Sequence, residues 1–267
     1  MLSAGFGELL ATLRERKPLV HHITNFVVMN ETANATLAIG ASPVMAHAAE
    51  EVEEMVAMAG ALVLNIGTLT PELIDSMVLA GKAANRHGVP VVLDPVGAGA
   101  TKLRTDSAIR LLDEVRVAII RGNASEVSTL AGVAAKTVGV DSGEAASDPG
   151  QVAGDLARRR GCVVAITGAA DTVSDGTRMT RVLNGHALLG NVTGTGCMCT
   201  TMIGAFAAVC PEAHEAALAG LAAFGIAGEL AAAAAGPRLG TFHVELYNAL
   251  GSLTPGQLRE LARVERV

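Results

Sequence analysis

The stretch ALVLNIGTLTPELIDSMVLAGKAANRHGVPVVLDPVGAG (Ala61–Gly99) decides how the chain folds. It opens on an apolar, β-rich run, Ala61–Gly67, closed by Gly67. Thr70 and Pro71 then mark a helix start. A threonine hydroxyl can cap the first free amides, and proline has no amide to leave unpaired at the first helical position. The helix is predicted to run to about His87, and Val89–Val96 follows as a second buried run. Two apolar strands joined by one helix make a parallel unit, covered by helices on both faces.

The same alternation extends both ways. Upstream, Phe6–Arg16 has helical periodicity and Leu19–Thr24 reads as a strand. Asn30–Ile39 reads as a helix stopped by Gly40, Ser42-Pro43 as a turn, and Glu50–Ala59 as a helix. Downstream, helices are predicted over Asp106–Leu112, Ala124–Ala131 and Gln151–Arg160, and strands over Val115–Asn123 and Cys162–Gly168. Short strands near Thr172–Asp175 and Arg181–Leu183 precede a long apolar helix from about Cys197, and two more helices close the chain. Gly139–Gly150 is small and polar, and reads as a surface loop. Without a linker, charge block or short repeat, residues 1–267 are expected to form one α/β domain.

Composition excludes several function classes. Half of the 267 residues are apolar and only 2% are aromatic, so the core must be Ala, Val, Leu, Ile and Met. That apolar content rules out a disordered chain. A net charge of -6 and the scarcity of stacking side chains argue against nucleic-acid binding. Four cysteines without a C-x-x-C pair suit neither a disulfide framework nor a structural zinc, and the first residues lack a basic and then apolar leader. A cytoplasmic protein with reduced thiols is expected. The most apolar tract, Ala216–Gly236, is mostly Ala and Gly and carries Glu229. An ionised residue in a span costs roughly 2.5–3.5 kcal/mol, so a buried helix is expected there and not a membrane crossing.

Ligands of an open parallel sheet bind beyond the carboxyl ends of its strands. Three predicted strand ends carry polar residues: Asn65-Ile66-Gly67, Asp94 before Pro95–Gly99, and Arg121–Glu126. Asp94 and Glu126 on one rim suit Mg²⁺, which takes one or two carboxylates plus substrate phosphates. Equally, Glu126 could serve the first turn of a helix and Asp94 cap a strand end. Arg121 suits a phosphate, or could pair with Glu126. Gly194-Thr195-Gly196 before an apolar helix lets backbone amides approach an anion, and a cysteine there, Cys197, is expected to have a lowered pKa. The alternative is a tight loop with a buried thiol. His21 and His22 should point to opposite faces of a strand, as structural residues and not a metal pair. Met45 is either core filler or the lining of an apolar pocket. No Walker or dinucleotide-binding glycine motif is present.

Taken together, these segments resemble one family. PLVHHITNFVVMNETANATLAIGASPVMAHAAEE (Pro18–Glu51), LNIGTLTPE (Leu64–Glu72), PVVLDPVGAGAT (Pro90–Thr101), IRGNASEV (Ile120–Val127), ITGAADTVSDG (Ile166–Gly176) and NVTGTGCM (Asn191–Met198) are similar, in order, to hydroxyethylthiazole kinases of thiamine salvage. The resemblance implies a ribokinase-like three-layer α/β/α sandwich with a mostly parallel sheet. It implies transfer of the ATP γ-phosphate to the hydroxyl of 4-methyl-5-(2-hydroxyethyl)thiazole. By the same resemblance, Met45 and Gly194 contact the thiazole. Arg121, Thr167 and the Gly196 region contact ATP, with Asn25 near the phosphates. Asp94 and Glu126 form the Mg²⁺ region. Cys197 takes the place of the base, where many ribokinase relatives carry Asp. The family implies a homotrimer with active sites at subunit boundaries. Other readings are a hydroxymethylpyrimidine kinase, an ATP- or ADP-dependent hydrate dehydratase, or a silent binding protein on this fold. The Pro18–Glu51 run argues against the first two, and the intact set Asp94, Arg121, Glu126 and Cys197 against the third.

Overall fold

The structure, a computed structural model, describes residues 3, 5–133 and 148–267. The Ala61–Gly99 unit folds as expected. Strand β3 (Ala61–Asn65) leads into α4 (Pro71–His87), and Thr70 Oγ1 accepts the Leu73 amide at 3.2 Å. The chain returns as β4 (Val91–Asp94), parallel to β3, with Asn65 opposite Asp94. Around this pair lie β1 (Leu19–Ile23), β2 (Ser42–Val44), β5 (Ile119–Asn123), β6 (Val163–Thr167), β7 (Asp171–Ser174), β8 (Met179–Val182) and β9 (Val264–Arg266). They form one sheet in the order β2-β1-β3-β4-β5-β6-β7-β8-β9, parallel as far as β6 and antiparallel after it.

Two apolar layers cover the sheet. On one side pack α1 (Phe6–Arg16), α2 (Met29–Ile39), α8 (Thr195–Ala207), α9 (Ala213–Ala235), α10 (Leu239–Ser252) and α11 (Pro255–Leu261). On the other pack α3 (Val52–Ala57), α4, α5 (Lys102–Glu114), α6 (Ala124–Leu130) and α7 (Pro149–Arg160). Side chains along a strand alternate between faces. Val63, Val92, Ile119 and Ala165 join the α8 side, whereas Leu62, Leu64, Leu93, Ile120 and Val164 join the other. Continuing that alternation to the strand ends puts Asn65, Asp94, Arg121 and Thr167 all on the α8 face. Helix α9 is the predicted core helix: 83% of its most apolar window is buried.

Several local readings differ. Ser42-Pro43 is an edge strand and not a turn; at an edge, proline's missing amide costs no ladder bond. Helix α5 begins earlier than Asp106, because Thr101 Oγ1 caps it through the Arg104 amide at 3.3 Å. It also takes up Val115 as its C-cap, so β5 starts only at Ile119. Three helices, not two, follow α8, and the chain ends in β9, whose short Val-Glu-Arg sequence carries no strand signal. The expected Gly139–Gly150 loop lies outside the described residues except at its end, where Pro149 and Gly150 already belong to α7.

Candidate active site

Asp94 anchors the site. Its side chain is fully buried at the end of β4. Oδ2 accepts from Thr200 Oγ1 at 2.8 Å and from Asn65 Nδ2 at 3.0 Å, with Arg121 Nη1 3.7 Å away. Among the described residues Oδ1 has no partner. Burial pushes the carboxyl up to about 6; Arg121 and the Thr200 bond work against that shift, and the nearby Glu126 charge adds to it.

Cys197 sits in the first turn of α8. The turn is entered through Gly194 at φ +85°, a left-handed conformation that a side chain would strain. Sγ receives Asn65 Nδ2 at 3.2 Å and Asn25 Nδ2 at 3.5 Å. The lowered pKa expected from the helix terminus is not found. Burial, with the Asp94 charge beside it, pushes the thiol up to about 11, and the amide donors and Arg121 only partly offset this. Desolvation outweighs the helix dipole, whose contribution is typically below about 1 kcal/mol.

Beside these groups opens a cavity of about 590 Å³ lined by Arg121, Thr167, Gly168, Asp171, Gly196 and Phe224 among others. Arg121 Nη2 donates to Thr167 Oγ1 across the β5–β6 pair. Burial opposes the guanidinium charge, yet Asp94 and the other acidic groups around it hold its pKa above the usual arginine value. Thr195 Oγ1 donates to Leu189 O at 2.6 Å and so ties the start of α8 to the short helical turn Ala187–Asn191. The Arg121 fork, the α8 amides and the cavity size suit a nucleotide with its phosphates toward Arg121.

Glu126 does what its alternative reading required. Its Oε2 accepts the Asn123 amide at 2.8 Å while Asn123 Oδ1 accepts the Glu126 amide at 2.9 Å, a capping box that starts α6. It also reaches the site: Oε1 accepts the Gly97 amide at 2.8 Å and fastens the loop after β4 to β5. Arg104, which the sequence did not single out, fastens the neighbouring loops. It donates to Val96 O and Gly67 O at 2.8 Å and to Ile66 O at 3.2 Å. Thr200 was missed too: α8 carries Thr195, Thr200 and Thr201, and nothing in the sequence separates Thr200 from the hydroxyl beside it.

The remaining candidates spread along the rim. Asn25 is buried, and its amide goes to Asn65 Oδ1 at 2.8 Å as well as to Cys197. Met45 is half-buried just past β2, with β1 and β3 between it and the Asp94 strand. The loops around it meet where the Phe26 and His47 rings stand edge to face at 6.0 Å. His21 and His22 occupy opposite faces, His21 Nε2 against Ala46 O at 2.6 Å and His22 Nε2 against Thr36 Oγ1 at 3.3 Å. Among the described residues no cluster of three His, Cys, Asp or Glu side chains could hold a metal. A magnesium ion shared with phosphates needs fewer protein ligands, and the bare Oδ1 of Asp94 fits that demand.

The chain matches the hydroxyethylthiazole kinase family over residues 10–256. It is 55% identical over 263 residues to the hydroxyethylthiazole kinase of Desulforudis audaxviator, covering 98% of this chain and 96% of that one. The structure of the hydroxyethylthiazole kinase from Pyrococcus horikoshii superposes with a TM-score of 0.90 at 48% identity, covering 98% of both chains. The ADP complex of Bacillus subtilis pyridoxal kinase superposes with a TM-score of 0.60 over 79% of this chain and 91% of that one; at 18% identity this similarity concerns the fold alone.

Proposed function

Since the chain belongs to the hydroxyethylthiazole kinase family, we propose that the Asp94, Arg121 and Cys197 cluster is the centre at which it works. The protein is a ribokinase-like kinase that transfers the ATP γ-phosphate to the hydroxyl of 4-methyl-5-(2-hydroxyethyl)thiazole. ATP is its co-substrate. We read residues 1–267 as one kinase domain. Arg121, Thr167 and the Gly196 amide hold the nucleotide phosphates. The observation that carries the reading is that alternation along four parallel strands delivers Asn65, Asp94, Arg121 and Thr167 to the face where α8 presents Gly196 and Cys197.

Asp94 and Glu126 would be the residues to hold Mg²⁺: Asp94 Oδ1 is free of other partners among the described residues, and Glu126 belongs to the same region while its two oxygens keep the Gly97 and Asn123 amides in place. When bound, the ion neutralises charge on the transferring phosphoryl group. The chain's own residues do the rest. Phosphoryl transfer has a loose transition state, so positioning and charge stabilisation dominate. Arg121 binds the phosphates, and the α8 amides add donors. As the bond from γ-phosphorus to the ADP oxygen breaks and that to the alcohol oxygen forms, the alcohol proton passes to Cys197 Sγ. In the free enzyme this sulfur keeps its own proton, which must leave to solvent first.

Met45 and Gly194 contact the thiazole ring. Phe26 (56% exposed) and Val27 (60%) leave apolar surface on the loop that carries Asn25, which is consistent with the family's homotrimer burying that loop at a subunit boundary. Four free thiols support a cytoplasmic setting. ADP release with ATP, Mg²⁺ and the thiazole alcohol, with a pyrimidine alcohol as control, tests the function: thiazole-dependent release is expected, and release only with the pyrimidine would overturn it.

A further inference from the structure

Asn65 is 1% exposed at the end of β3, and every hydrogen-bonding position on its amide is used within the site. Oδ1 accepts Gly67 N at 2.9 Å and Asn25 Nδ2 at 2.8 Å. Nδ2 donates to Asp94 Oδ2 at 3.0 Å and to Cys197 Sγ at 3.2 Å. The amide can point only one way: rotated by half a turn, its NH₂ would face the two donors and its oxygen the carboxylate and sulfur.

From this arrangement we propose that Asn65 is a positioning residue that couples the carboxylate of Asp94 to the thiol of Cys197. The proposal deepens, and rests on, the reading of Cys197 as proton acceptor. Two things follow from the shared NH₂. On the Asp94 side, Asn65 and Thr200 both hold Oδ2, which fixes the carboxylate and leaves Oδ1 as its buried, unpartnered oxygen. On the Cys197 side, the NH₂ groups of Asn65 and Asn25 donate to the sulfur, which keeps Sγ an acceptor and fixes its place in the first turn of α8. The NH₂ thus bridges the carboxylate and the sulfur directly, with one N–H bond to each. Asn25 is linked through the Asn65 oxygen, so the same amide also ties down the loop after β1. The register that puts Asn65 opposite Asp94 makes this reach short enough for one side chain.

The test is a mutant cycle of Asn65→Ala and Cys197→Ala, read as kcat and ATP KM for thiazole-dependent ADP release. Groups that act as one unit lose activity non-additively, whereas a merely structural residue adds its loss to any background. Asn65→Ala alone should lower kcat by about 30-fold or more with the ATP KM changed by less than about 3-fold; on top of Cys197→Ala it should lower kcat by less than about 3-fold. The same fold loss in both backgrounds, or an unchanged kcat in the single variant, overturns the proposal. Asn65→Asp provides a second arm should the alanine variant not fold. It keeps the shape and the oxygen that serves Gly67 and Asn25 but removes both donated N–H bonds, so its kcat should fall as well; wild-type kcat would overturn the proposal. A wild-type enzyme without thiazole-dependent release, or Cys197→Ala at full kcat, overturns the underlying reading together with this one. A normal wild type, an impaired Cys197→Ala and additive Asn65 effects overturn the Asn65 proposal alone.

Discussion

Arg121 Nη1 lies 2.9 Å from where a Cβ on Gly196 would stand. The guanidinium thus occupies space that only a glycine at this turn of α8 leaves open. A methyl group there would push the fork away from Thr167 and Asp94, because a flexible side chain yields before backbone does. Gly196→Ala should therefore raise the ATP KM about tenfold, or about 1.4 kcal/mol. Thermal stability should not fall, since alanine is favoured over glycine in a helix by about 1 kcal/mol. An unchanged ATP KM would place Arg121 outside the nucleotide site.

The two carboxylates should part company in stability. Asn replaces Asp94 with the same shape and removes a buried charge that folding disfavours. Asp94→Asn should lose turnover and need more Mg²⁺, while its melting temperature changes little, because relief of the buried carboxylate is offset by the loss of Arg121's partner. In Glu126→Gln one of the two amide donors, Gly97 or Asn123, meets an NH₂ in place of an oxygen, at a cost of about 1–3 kcal/mol. Its activity should fall along with its melting temperature. Mg²⁺ titrations of ADP release and thermal melts on both variants check this; unchanged Mg²⁺ dependence in both would remove the metal assignment.

The strand-end placement was legible because parallel strands alternate strictly and end in a rim: Asp94, Arg121 and Glu126 could be placed on one rim from the runs that precede them. The state of Cys197 was not. A helix N-terminus argues for a lowered pKa, but the opposing desolvation depends on burial by Asn25, Asn65 and Asp94, which come from three other segments. Arg104 was illegible for a similar reason, since its role is to join carbonyls of two loops that are distant in sequence. The edge strand at Ser42-Pro43 was hidden because proline signals a turn unless the strand is known to lie at an edge.

Cys197 should react as a neutral thiol in the free enzyme. The rate of iodoacetamide alkylation should climb through pH 8 and 9 toward a midpoint near about 11. The other three cysteines are buried, so the reaction reports chiefly on Cys197. The sign for stability follows: a folded-state pKa raised above the ordinary thiol value means the folded chain keeps this proton longer. The group's contribution is present at neutral pH and is lost as pH rises through about 9 to 11. A plateau in alkylation below pH 8 would show a preformed thiolate.

Met45 should supply contact area and no chemistry. Met45→Ala should raise the thiazole KM by roughly 10–100-fold, from about 1–3 kcal/mol of lost apolar contact, with kcat and the ATP KM nearly unchanged. Steady-state kinetics with each substrate varied in turn reads this out. Loss of kcat at an unchanged thiazole KM would contradict the role.

Cys197 as the acceptor of the alcohol proton is tested most directly by the kcat of Cys197→Ala and Cys197→Asp at saturating ATP, Mg²⁺ and thiazole alcohol, with a thermal melt of each. Alanine should cost about 10²–10⁴-fold in kcat, the usual worth of a general base, with the ATP KM preserved by Arg121 and the α8 amides. Aspartate, short enough to reach the same hydroxyl, should keep activity. An active alanine variant beside an unfolded aspartate variant would make Cys197 a buried structural thiol and contradict the account.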